Sequence, residues 1–193
     1  MHDIEPHHHW RDRYVSAEDS RSPHYGRTYD EFRFTKRVYN YYIHPQWDEF
    51  GSSTLYIKFL YVDYELRTAI LELIGEWNDC LSNDILFLKQ NVVDNLVQEG
   101  ISRYILILDN VLNFHGSDNC YYEEWFEDLA DTDGFICFLN TLPHVQDEMC
   151  DTQIDHFVTL GAGMQIPNWR SFEPRNLAKQ VEANRSVTTH SLP

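Results

Sequence analysis

Two short stretches of this sequence bring together residues that could move protons. The first is His115-Gly116-Ser117-Asp118, with Glu123 and Glu124 close behind it. An imidazole beside a carboxylate can act as a base with an orienting partner. The second is Glu76-Trp77-Asn78-Asp79, at the end of a strand pattern. In open α/β sheets, ligands bind outside such carboxyl ends. His115, Asp118, Glu76 and Asp79 are therefore the catalytic candidates, and hydrolysis is the chemistry that would suit them. No nucleophile signature accompanies them, neither Gly-x-Ser-x-Gly nor a Cys/His pattern. There is also no glycine-rich phosphate loop. Ser117 precedes a helical pattern, where serine is normally the N-cap. A phosphate on it would meet the positive end of the helix, opposed by the charge of Asp118.

The elements around these residues can be read from periodicity. Arg103 to Asp109 is a short apolar run bounded by Asp-Asn, the pattern of a strand buried on both faces. His115 to Asp118 reads as a loop that delivers a hydroxyl to the start of a helix. From 118 to 129 the apolar residues recur at helical spacing: Tyr121, Trp125 and Leu129, with Tyr122 and Phe126 beside them. Glu123, Glu124, Glu127 and Asp128 make the opposite face acidic. The aromatics exceed what one helix face needs, so part of them, Trp125 included, is expected to anchor a partner.

Upstream, 32–43 reads as a strand, and 54–62 and 68–74 as an antiparallel hairpin ending at Gly75. A helix follows to about Glu99, with Ile85, Leu88, Val92 and Leu96 on its apolar stripe and Gly100 as its stop. Downstream, 134–139 is a buried strand and Pro143 opens a short helix. Residues 155–160 form a last strand or edge segment. Strands alternating with helices after Gly75 call for parallel pairing with helices packed on the sheet. The expected organisation is an arm over 1–28, one α/β domain over 29–163, and a tail over 164–193. That tail has one helical piece near 174–183 and disorder from Ser186.

The chain has 193 residues and a formal charge of −16, which disfavours nucleic acid and anionic membranes as partners. From Tyr104 to Trp169 there is no Lys or Arg, so a basic protein surface is the partner that this section would suit. The four cysteines are widely spaced and are read as free thiols, with Cys137 in the core. No apolar run approaches the length of a membrane span, and the expected location is the cytoplasm. The adjacent His7, His8 and His9 cannot easily converge on one ion, so neither a metal nor a cofactor is expected. A homo-oligomer stays open.

From about residue 69 to 161 the order of elements resembles the STAS domain, the fold of bacterial anti-sigma-factor antagonists. The residues that carry the resemblance are Gly75-Glu76-Trp77-Asn78-Asp79 and the turn Val111 to Ser117 before a helix. Phe135 to Leu139, Val145 to Met149 and Ile154 to Leu160 resemble the closing section. The resemblance implies a STAS-like mixed sheet with helices packed on it, here preceded by an extra N-terminal antiparallel strand and an extended arm. It also implies that Ser117 occupies the family's phosphorylated position. In this sequence the family's Asp is His115, its first Ser is Gly116, and the following Gly-Leu is Asp118-Asn119.

The reading that follows is a non-enzymatic regulatory or scaffolding protein. It would bind a protein partner through the acidic helix 118–129, with Glu123, Glu124, Glu127, Asp128 and Trp125, and through the loop before it. The alternative is a small cytoplasmic hydrolase using His115 with nearby carboxylates.

Overall fold

A computed structural model describes residues 4–189. Its centre is a four-stranded mixed sheet in the order β3 (Leu55–Asp63), β4 (Thr68–Asn78), β5 (Arg103–His115), β6 (Phe135–Leu139). β3 and β4 are antiparallel, while β4, β5 and β6 run parallel. Residues 32–43, expected as one strand, instead form a separate two-stranded ribbon, β1 (Arg37–Val38) and β2 (Tyr41–Tyr42), turned by Tyr39 at positive φ.

Connections between parallel strands must cross over a face, and amphipathic helices fill that role here. α1 (Asp84–Leu88) passes through a π-helical turn (Lys89–Val93) into α2 (Asp94–Gln98). α3 (Cys120–Glu127) and α4 (Pro143–Asp151) follow the next two strands. Ile85, Leu88, Val92 and Leu96 pack with Leu71, Leu73, Leu106 and Phe138 in one continuous core. The other face of the sheet, with Ile70, Ile105, Ile107 and Cys137, is covered by Trp10, Trp169 and the helix α5 (Pro174–Thr189) through Leu177 and Val181. Burial pushes the Cys137 thiol up to about 12.

The sequence pattern and the structure differ in three places that matter for function. β4 does not end at Gly75 and β5 does not end at Asp109. Both continue as a bulged parallel ribbon in which Glu76, Trp77 and Asn78 pair with Asn113, Phe114 and His115. β6 stops opposite Ile107, so one face of this extension is wet. Val111 and Phe114 are buried while Leu112 and His115 are exposed, a pattern too mixed to read as a buried strand. Finally, Ser186 to Thr189 continue α5 rather than being disordered, whereas residues 190–193 lie outside the described range. Residues 154–160 form a 3-10 turn and a single parallel bridge, Cys137 to Thr159, an edge segment rather than a strand.

Candidate functional site

The site is built where β4 and β5 end together. Gly75 makes this possible. Its φ is +129°, and a Cβ there would lie 2.0 Å from the Thr54 carbonyl oxygen, so no other residue fits without moving the backbone. The bulge beside it re-aims Glu76 and Trp77. Glu76 Oε1 then lies 2.9 Å from His115 Nε2, with the imidazole about half exposed. A carboxylate so placed orients the ring. Of the four catalytic candidates, these two are joined by a side-chain hydrogen bond.

Asp79 has a different environment. Its Oδ1 accepts from Trp77 Nε1 and from the Ile85 backbone N–H, each at 2.9 Å, and its Oδ2 accepts from the Tyr122 hydroxyl at 2.8 Å. It thereby caps α1, whose N-cap residue Asn83 makes no side-chain capping bond. Burial pushes the Asp79 carboxyl up to about 6, against the pull of those three donors. Its hydrogen-bonding capacity is spent on the fold. The exposed Asp118 accepts from the Cys120 N–H at 3.3 Å, and the Cys120 thiol and N–H hold its carboxyl below the ordinary value.

Ser117 is exposed in the loop, but it is not the helix cap: Asn119 holds that position, without a side-chain bond. The Cys80 thiol donates to the Gly116 carbonyl, and the Gly116 N–H faces Glu148 of α4 at 3.5 Å. The loop therefore rests on α4 and on the turn after β4.

α3 splits sharply into two faces. Tyr122 and Trp125 are fully buried, Tyr122 stacking on Trp77 and Trp125 meeting Tyr104 edge-on. Trp125, expected at a docking surface, is therefore a core residue, because its turn of helix faces β5. The aromatic that reaches solvent is Phe126, 47% exposed, with its ring near Phe157. The acidic residues also divide. Lys89, whose side chain is 3% exposed, bridges to Asp94, Glu124 and Asp128. Burial alone would lower the Lys89 ammonium, but these carboxylates hold it above its ordinary value. Glu123 and Glu127 face solvent beside Phe126.

The chain is similar in structure to anti-sigma factor antagonists of the STAS type. Unphosphorylated SpoIIAA matches at 13% identity and a TM-score of 0.44, over 55% of this chain and 88% of that one. Phosphorylated SpoIIAA from Bacillus matches at 12% and 0.39, over 55% and 91%. A proposed anti-sigma factor antagonist from Thermotoga maritima matches at 15% and 0.44, over 65% and 94%. The likeness is one of chain path over roughly half to two-thirds of this protein. No family model matches the sequence, and no curated protein matches it.

No group of three or more His, Cys, Asp or Glu among the described residues is placed to hold a metal ion. No helix among them is long and apolar enough to cross a membrane. Sequence reasoning missed Lys89 and the buried Glu72, and it singled out Trp125 where Phe126 reaches solvent. The signal for Glu72 was present, a carboxylate inside the apolar run from Thr68 to Ile74.

Proposed function

We propose that this chain is a non-enzymatic regulatory or scaffolding protein that docks a protein partner with a basic surface. The docking face is the outer side of α3, with Glu123, Phe126 and Glu127, and the loop 116–119 before it. The observation that carries this reading is the exposed Phe126 flanked by two exposed carboxylates on a helix whose other face is locked in the core. An aromatic anchor supplies affinity, and the surrounding charge supplies steering and partner choice. Glu124 and Asp128, already bridged by Lys89, contribute less free charge. Ser117, exposed in the loop before α3, is the position at which phosphorylation would change the charge of that loop.

The test is capture with the tagged full chain from source cells, compared with the Glu123→Lys/Glu127→Lys variant. A stoichiometric partner should be retained by the wild type and lost by the variant, and its purified complex should weaken with salt. Recovery of the same proteins by both would remove the proposal.

A second reading, a small hydrolase, is favoured by the 2.9 Å contact of His115 with Glu76. It requires a hydrolytic activity of the purified chain that His115→Ala abolishes while partner capture is unchanged.

A further inference from the structure

The β3 edge of the sheet carries a cavity that the docking reading does not use. The segment after Ile4 folds back over β3 and encloses with it a space of about 450 Å³. That is within the range of small-molecule sites, roughly 300–1,000 Å³. Its wall contains His7, Arg11, Arg27 and Lys58, and its apolar part includes Phe59 and Leu60. This is a concentration of cations in a chain with only 15 Lys and Arg and a net charge of −16.

The lining itself is cationic: Arg11, Arg27 and Lys58 stand against one carboxylate, Glu18. Asp48, 1% exposed, takes both Lys58 Nζ and Arg27 Nη1 at 3.1 Å and also accepts from the Tyr29 hydroxyl at 2.8 Å. Two cations on one carboxylate leave a surplus positive charge, and Lys58 is itself nearly buried. Burial pulls the Lys58 ammonium down against the pull of Asp48, the sign of a cation short of solvation. Arg11 adds a further charge, its ion-pair partner Glu31 being 4.0 Å away between groups about half exposed. Glu18 also lines the space but is exposed to water.

We propose that this cavity binds a small organic anion. Its acidic head group would sit against Arg11, Arg27 and Lys58, and its apolar body would lie on Phe59 and Leu60. Such a ligand would meet the cationic lining and fill the apolar part.

The probe is 8-anilinonaphthalene-1-sulfonate, an aromatic body with one acidic group, titrated by fluorescence against the full chain. Its uncharged counterpart N-phenyl-1-naphthylamine isolates the contribution of the charge. The sulfonate should saturate at one site and bind about tenfold or more tighter than the neutral probe, a difference of about 1.4 kcal/mol. Arg11→Gln and Lys58→Met should each weaken it by about tenfold. Leu112→Ser, in a separate apolar cavity lined by Ile4, Val38 and Ile74, should leave it unchanged. Absence of saturation, equal affinity for both probes, indifference to Arg11→Gln, or loss on Leu112→Ser would each overturn the proposal. Arg11 is exposed and its substitution leaves the core intact, so it decides the matter even if Lys58→Met fails to fold.

Discussion

The Tyr122 hydroxyl donates to Asp79 Oδ2 at 2.8 Å, with both residues buried. This bond ties the acidic helix α3 to the end of β4, close in sequence to Glu76. Asp79 is already short of solvation, and burial pushes its carboxyl up to about 6. Tyr122→Phe removes one of its three donors and leaves a buried carboxylate less satisfied. The expected loss of stability at pH 7 is about 1–2 kcal/mol. It should narrow toward pH 5, where Asp79 is protonated in the fold and the lost bond no longer solvates a charge. Urea denaturation of the two proteins at both pH values measures this. An equal deficit at pH 5 and pH 7 would refute it.

Much of this arrangement can be read in the sequence. The stripe Ile85, Leu88, Val92 and Leu96 is fully buried, as its spacing requires, and the apolar run 103–109 is the central strand. The π-helical turn at Lys89–Val93 leaves no comparable mark, since one extra residue in a turn barely disturbs the apolar stripe. The extension of β5 to His115 is hidden because one of its faces is wet. The choice between Trp125 and Phe126 is hidden for another reason. Both fit an apolar stripe, and only the position of β5 decides that Trp125 points at Tyr104 while Phe126 points outward. Asp79 reads as a turn residue or a catalytic carboxylate; it caps α1 through the Ile85 N–H, and its second oxygen is held by Tyr122, 43 residues later.

Glu72 gives a prediction about pH. It lies wholly buried on β4, accepting from the His7 backbone N–H at 2.9 Å and from Arg170 Nη2 at 3.0 Å, and Arg170 also binds Asp109. Burial raises its carboxyl from 4.5 to about 7, against the pull of the His7 N–H and Arg170. A raised acid stabilises the fold below its unfolded value and loses that contribution as pH rises through its folded value. His7 acts in the opposite sense. Burial, with His9, Arg170 and His8, lowers it from 6.5 to about 4, so its contribution is lost as pH falls. The two oppose each other between about 4.5 and 6.5. Above that, unfolded His7 and His24, both lowered by burial in the fold, still shed protons up to about pH 7.5 and offset the Glu72 contribution. The comparison with Glu72→Gln isolates it: between pH 6.5 and 8 the wild type should lose about 1 kcal/mol more stability than the variant. Equal slopes in the two proteins would show that Glu72 keeps its ordinary acidity.

The adjacent aromatics of α3 separate folding from docking. Trp125 is fully buried against Tyr104, so Trp125→Ala opens a cavity in the main core and should cost about 3–5 kcal/mol of stability. Phe126 is 47% exposed, and Phe126→Ala should change stability by no more than about 0.5 kcal/mol beyond the loss of its contact with Phe157. If the outer face of α3 docks a partner, the order reverses for binding. Phe126→Ala should then weaken the complex by at least about tenfold, or 1.4 kcal/mol, as a truncated aromatic anchor does. Glu123→Lys should weaken it further by slowing association, and that part should fade in high salt because exposed charges are screened. Glu124→Gln should do less, because Lys89 already draws on that carboxylate. Thermal melts of the free variants, together with association and dissociation rates of the complex, separate these outcomes. A Phe126→Ala protein that binds as tightly as wild type would move the interface off α3, whatever partner is found.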